Sequence, residues 1–276
     1  MPELPEVKVV VKSLKNHILN KEIERIDVYN PKLIKEISFQ EFKKTLEDKK
    51  ILDMSNVAKH IIFFLSDDIV LISHLRMEGK YRFYTQQQEP DKHAHVIFNF
   101  KDKTQLQYVD SRAFGTFHVR TKENYLSINP LQKVAPTPDK VDLKQMMQKI
   151  SKSSVAIKTI ILNQEIVSGI GNIYADETLF ASKINPVTPA KDISLDQLKT
   201  LMNNAYLIMK KSEELGGSTI NSYESLNKQE GQFQNFLKVH TRVGKPCSEC
   251  RVLIKKTKVN GRGTYYCPKC QGEIHD

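Results

Sequence analysis

Two sets of residues in this 276-residue chain have the types and spacing that chemistry requires, one at each end. The chain opens Met1-Pro2-Glu3-Leu4-Pro5-Glu6-Val7, so removal of Met1 leaves Pro2 as a free secondary amine with carboxylates one and four residues on. An α-amino group titrates near about 7.7 to 8.0, against about 10.4 for lysine, so far more of it is neutral and nucleophilic at pH 7. When a secondary amine condenses with a sugar carbon, the iminium it forms is cationic without a further proton and draws electrons from bonds nearby. Glu3 and Glu6 are the acid/base partners such a nucleophile needs. Carboxylates in this position also favour the positive end of a helix, here one running through Val7 to Asn20.

At the other end lie all four cysteines, as Cys247-x-x-Cys250, sixteen residues, then Cys267-x-x-Cys270. This is the spacing of a four-thiolate structural zinc site, with two disulfides as the alternative in an oxidising compartment. Between the pairs, Val252 to Val259, Asn260-Gly261 and Thr264 to Tyr266 predict two short strands around a turn, with Arg262 at the tip. Few apolar residues are available for a separate core, so the finger is expected to fold only on one structural Zn2+.

The elements that must carry these ends follow from periodicity. Short β-branched and aromatic runs predict strands at Ile23 to Tyr29, His60 to Leu65, Ile69 to His74, Lys80 to Tyr84, His95 to Phe100, Thr104 to Val109 and Thr116 to Val119. Their close spacing implies an antiparallel sandwich or barrel. Lys133 to Lys140, with Pro136 and Pro138, reads as a linker, and 141–238 is helical in pattern. Within it, Gly169-Ile170-Gly171-Asn172 places a Gly-x-Gly turn before a helix start, where backbone N–H groups are available to a phosphate.

Charge narrows the partner. The chain has 42 Lys+Arg against 32 Asp+Glu, a net charge of +10, which suits a polyanion. Residues 239–276 hold eight basic residues and three acids, so this tail, at +5, carries half of the excess. No apolar run approaches the roughly 18 residues of a spanning helix, and the charged opening lacks the apolar core of a signal peptide. A soluble intracellular protein is expected.

The opening Pro-Glu-Leu-Pro-Glu-Val, Val57-Ala58-Lys59-His60, Ser73-His74-Leu75-Arg76-Met77-Glu78-Gly79, Asp110-Ser111-Arg112-Ala113-Phe114-Gly115, Gly169-Ile170-Gly171-Asn172-Ile173-Tyr174 and the four-cysteine finger occur in the order found in formamidopyrimidine-DNA glycosylases. The resemblance spans essentially the whole chain, and the Leu4 opening is similar to the oxidised-purine branch rather than the endonuclease VIII branch. It implies a multidomain α+β fold: an N-terminal helix and antiparallel β-sandwich (1–132), a linker (133–140), a helix-two-turns-helix domain (141–238) and a β-hairpin zinc finger (239–276). The implied activity is a bifunctional DNA glycosylase and AP lyase excising oxidised purines from duplex DNA. The implied protein is a monomer of the bacterial cytoplasm, associated with the nucleoid when acting, with no redox or nucleotide cofactor.

Residue by residue, the resemblance makes Pro2 the nucleophile at C1', Glu3 the proton carrier, Glu6 the residue that helps position or activate the amine, and Lys59 a phosphate ligand or catalytic aid. Met77, Arg112 and Phe114 would fill the hole left by an extruded base. His74, Lys158, Asn172 and Arg262 would clamp phosphates, Arg262 counting with the catalytic set as well. Glu214 to Tyr223 matches a loop that closes over the extruded base. Two departures stand out: Ala113 replaces a common second arginine, and Val134-Ala135-Pro136-Thr137-Pro138 replaces a Leu-Gly-Pro linker.

Overall fold

The computed structural model describes residues 2–219 and 230–274. The chain divides into two compact units, one formed by Met1–Gln132 with Leu215–Gln232 and one by Lys133–Glu214 with Phe233–Asp276.

The first unit begins with α1, Leu4–Ile18, which buries Leu4, Val7, Val10, Val11, Leu14 and Ile18 at three- and four-residue spacing. The helix starts three residues before the expected Val7, because Pro5 is tolerated in the first turn and Glu6 returns a carboxylate to the amide of Glu3. Eight strands follow: β1 Ile23–Val28, β2 Ile51–Val57, β3 His60–Leu65, β4 Ile69–His74, β5 Lys80–Tyr84, β6 Ala94–Phe100, β7 Gln105–Val109 and β8 Thr116–Thr121. They form two antiparallel four-stranded sheets, ordered β1-β6-β7-β5 and β2-β3-β4-β8. Ile23, Ile26, Val96, Phe98, Phe100, Leu106 and Tyr108 from the first sheet share one core with Ile61, Phe63, Leu65, Leu71 and Phe117 from the second. A bulge between Ile23 and Arg25 explains how Ile23 and Ile26 both reach that core, since strict alternation would send them to opposite faces. Helix α1 packs on β2 and β3.

Two elements here were not expected. Ser38 caps α2, Phe39–Leu46, accepting the Glu41 amide at 3.1 Å, and Phe42 and Leu46 enter the core. Strand β2 carries Asp53, Ser55 and Asn56 and a bulge between Ile51 and Asp53, so neither its composition nor its alternation announces a strand.

The second unit begins with four helices, α3 Leu143–Ile150, α4 Ile157–Leu162, α5 Asn172–Ala181 and α6 Leu195–Glu214. The hairpin β9 Lys255–Val259 and β10 Arg262–Tyr266 follows, then the short α7, Pro268–Gln271. The first hairpin strand starts at Lys255 rather than Val252, and Arg262 opens β10 beside the Asn260-Gly261 turn. Helix α5 lies against α4, α6 and β10, and seven consecutive residues, Tyr174 to Phe180, are buried. Three of them, Asp176, Glu177 and Thr178, are polar, and buried carboxylates need partners. Glu177 accepts the amides of Lys238, Val239 and His240 at 2.8, 2.9 and 2.8 Å. Burial nonetheless raises its pKa, the amides opposing that rise.

Tyr108 is fully buried in the first unit, and its desolvated phenol is held far above its ordinary pKa, so it stays a donor, to Asp110 at 3.3 Å. Its hydroxyl is flanked by two glycines. A Cβ on Gly79 would sit 2.2 Å from that oxygen and one on Gly115 would sit 1.7 Å from it. Gly115→Ala is therefore expected to destabilise the protein by roughly 1 to 3 kcal/mol through overpacking, read as a lower Tm. In a Tyr108→Phe background the same substitution should lower Tm less; an equal loss in both backgrounds would show that the hydroxyl is not the obstacle.

Candidate active site and nucleic-acid contacts

In the first unit, Pro2, Glu3 and Glu6 are all buried at the start of α1, the two carboxylates at 2 and 1 % exposure. Glu6 holds the segment together: one oxygen accepts the Glu3 amide at 2.9 Å and the other the Ser218 amide at 2.8 Å. Gly217, at φ +85, passes so close to this carboxylate that a Cβ there would meet Glu6 Cγ at 3.0 Å. The N-terminal turn and residues 217–218 are thus fixed by one side chain. Ser218 had no sequence signal pointing to Glu6. Of the expected closing loop, Glu214 to Thr219 are described, and 220–223 lie outside the described residues.

Lys59 occupies the two-residue turn between β2 and β3, after Ala58 at φ +48, and is 5 % exposed. Next to it, His60 and His74 are cross-strand partners whose rings meet edge to face at 4.5 Å. His74 Nδ1 accepts the Arg76 amide at 2.9 Å, which leaves the proton on Nε2. Burial pushes His60 down to about 4 and His74 well below its ordinary value, with Arg76, Lys59 and His118 adding repulsion. His74 is therefore a neutral donor near pH 7.

Met77, Arg112 and Phe114 stand on two turns whose glycines, Gly79 and Gly115, both approach the Tyr108 hydroxyl. Met77 is 37 % and Phe114 52 % exposed, so neither is a core residue. The Arg112 guanidinium lies over the Phe114 ring at 4.6 Å. Asp110, fully buried, ties this turn by accepting the amides of Arg112, Phe114 and Gly115 at 3.0, 2.9 and 2.9 Å. Ala113 takes a left-handed φ of +53 inside it. An Asp beginning such a turn is a legible signal, since its side chain readily mimics backbone turns.

In the second unit, Lys158, Asn172 and Arg262 converge on the hairpin. Arg262 is exposed. Asn172, the first residue of α5, donates from Nδ2 to the Gly263 carbonyl at 2.9 Å. Lys158 departs from expectation as a phosphate clamp. It is fully buried, and its Nζ donates to Asp176 Oδ1 at 2.7 Å, Gly263 O at 3.0 Å and Thr264 Oγ1 at 2.8 Å. With these bonds its ammonium faces protein on every donor, so it has no face for a phosphate. Helical spacing could not distinguish this from a solvated face.

The four cysteine sulfurs lie within 4.8 Å of one another, Cys250 and Cys267 at 3.4 Å and Cys247 and Cys270 at 4.0 Å. Bonded sulfurs would be about 2.05 Å apart, which excludes disulfides. Tetrahedral zinc at about 2.3 Å from each sulfur places sulfurs about 3.8 Å apart, so Cys247, Cys250, Cys267 and Cys270 fit one Zn2+ with no open coordination position.

Comparison with known proteins agrees across the chain. Residues 1–117 match the family model described as the formamidopyrimidine-DNA glycosylase N-terminal domain, 133–224 the formamidopyrimidine-DNA glycosylase H2TH domain, and 244–272 the zinc finger found in FPG and IleRS. The formamidopyrimidine-DNA glycosylase of Mycoplasma mobile is 53 % identical over 271 residues, 98 % of this chain and 99 % of that protein. The fold is similar to a crystal structure of a Lactococcus lactis Fpg point mutant with Fapy-dG-containing DNA (TM-score 0.93, 38 % identity, 99 % of this chain and 100 % of that one). It is also similar to the wild-type Lactococcus lactis protein with oxidised-pyrimidine-containing DNA (TM-score 0.90, 37 % identity, the same coverage). With all three parts of the chain matched in order and the full length shared with these relatives, the chain belongs to the formamidopyrimidine-DNA glycosylase family.

Proposed function

We propose that this protein is a bifunctional DNA glycosylase and AP lyase that excises oxidised purines, 8-oxoguanine and formamidopyrimidines, from duplex DNA. The observation that carries the reading is the buried N-terminal turn, in which Glu6 fixes the backbone directly behind Pro2. A nucleophile on an otherwise frayed terminus gains its rate from being held in place. Pro2 nitrogen attacks C1' and gives up its proton, the glycosidic bond breaks and the base leaves with a proton; the C1'–O4' bond then opens, O4' taking a proton, which leaves an iminium between C1' and the Pro2 nitrogen. The resulting iminium acidifies C2', so loss of that proton expels the 3' phosphate, and a second elimination expels the 5' phosphate. Glu3 moves the protons, Glu6 positions the amine, and Lys59, in the β2–β3 turn, binds the phosphate next to the lesion or assists catalysis.

Met77, Arg112 and Phe114 fill the vacated stack, Arg112 facing the orphaned base, while His74 through its Nε2–H, Asn172 and Arg262 engage the backbone. Zinc supplies no chemistry; its four thiolates hold the hairpin that presents Arg262. The division carried into this reading is 1–132, 133–140, 141–238 and 239–276, with action in the bacterial cytoplasm as a monomer on nucleoid DNA. Among the described residues no helix is long and apolar enough to cross a membrane. Because one similar structure holds an oxidised pyrimidine, that lesion is the competing substrate class.

Borohydride treatment of the Met1-processed protein with a duplex carrying 8-oxoguanine opposite cytosine is expected to trap a covalent adduct, and Pro2→Gly to abolish it. Preferential trapping on an oxidised-pyrimidine duplex would move the substrate assignment, and trapping that survives Pro2→Gly would remove the nucleophile.

The histidine pair sets a pH dependence. The unfolded chain protonates His60 and His74 near 6.5 and the folded one takes up the His60 proton only near about 4. Between these values the unfolded state binds more protons, so stability should rise with pH from about 4 to about 6.5 and then level. Denaturant unfolding across that range checks this, and His60→Gln should flatten the slope. Chelating zinc should release one equivalent of metal and weaken duplex binding while the strand signal of β1 to β8 persists; retained binding without zinc would contradict the structural role.

A further inference from the structure

Arg262 is exposed on a two-stranded hairpin, a poor platform for a side chain that must meet one phosphate. Its backbone is nevertheless tied at consecutive positions. Thr264 Oγ1 donates to the Arg262 carbonyl at 2.9 Å and accepts from Lys158 Nζ, and the next carbonyl, of Gly263, accepts from both Lys158 and Asn172. Lys158 can sit there, fully buried, because Asp176 Oδ1 is 2.7 Å from its ammonium. The other Asp176 oxygen is 2.7 Å from His240 Nδ1, and the His240 ring packs edge-on to Tyr265 at 4.9 Å. A buried cation stripped of its counter-ion is strongly unfavourable, so Lys158 and Asp176 stand or fall together.

We propose that Asp176, Lys158 and Thr264 form a buried relay that positions Arg262 for its phosphate contact, making them positioning residues for DNA engagement. The proposal rests on the reading of Arg262 as a phosphate ligand. It makes a distinctive sign prediction. Neutralising an acid in a DNA-binding protein raises its net charge and, by long-range attraction alone, tightens binding. Asp176→Asn should do the reverse, because it loosens the hairpin.

The test uses the full-length, zinc-loaded protein and a duplex bearing an abasic-site analogue, with Kd measured against salt concentration. Arg262→Ala is expected to weaken binding roughly tenfold and to reduce the salt slope by about one. Asp176→Asn and Thr264→Val should each weaken binding roughly fivefold to tenfold, the size of a typical hydrogen bond. Each should add nothing further in an Arg262→Ala background, and Thr264→Ser should restore wild-type affinity. Zinc content and Tm report whether a variant has folded; should Asp176→Asn lose its zinc, Thr264→Val and Thr264→Ser decide. Binding that is unchanged or tighter in Asp176→Asn and Thr264→Val, with Arg262→Ala weakened, overturns the relay alone, as does full additivity with Arg262→Ala. If Arg262→Ala itself binds like the wild type, the phosphate assignment falls and the relay's role falls with it.

Discussion

A carboxylate withdrawn from water must find its hydrogen bonds inside the protein, and much of the proposed chemistry depends on where Glu6 finds them. It takes the Glu3 amide and the Ser218 amide, one on each oxygen. The first bond turns a chain terminus, ordinarily the most frayed part of a protein, into the opening turn of a packed helix. The second joins that turn to a segment 212 residues away, so the residues bordering the nucleophile are set from two directions. Glu6 is thereby explained by geometry, with no need to give it a proton to carry.

The same device recurs. Asp110 collects three amides to shape the turn bearing Arg112 and Phe114, Glu177 collects three to anchor residues 238–240, and Asp176 balances Lys158 behind the hairpin. Asp110 and Glu177 each place a buried charge behind a stretch of irregular backbone that carries an exposed functional group or leads to one. Irregular backbone offers amides that no helix or sheet satisfies, and an anion is their strongest acceptor.

Much of this was legible in the chain itself. The cysteine spacing, the N-terminal Pro-Glu pair and the period-two runs announce a metal site, a nucleophile and most of a sandwich, because each is a local pattern. What stayed hidden depends on distant or irregular pairing. Strand β2 is made by its neighbours in spite of Asp53, Ser55 and Asn56. Lys158 reads as a phosphate clamp, and only its bonds to Asp176, 18 residues on, and to Gly263 and Thr264 of the hairpin, 105 and 106 residues on, reveal it as interior. Helix α5 has no apolar face to read because it is buried throughout from Tyr174 to Phe180.

The stacking of Arg112 on Phe114 has its own consequence. Without DNA, the side chain proposed to read a base and the one proposed to part the stack occupy each other. In the proposed reading the guanidinium would have to leave the ring before turning toward a base edge, and its departure would bare the aromatic face meant to slide between bases. Probing and wedging become one concerted motion against a restoring force of about 0.5 to 1 kcal/mol, typical of an exposed cation–π pair. On intact duplex, in the proposed reading, neither group would gain a lasting partner and the pair would return to itself, resetting the site between one base pair and the next.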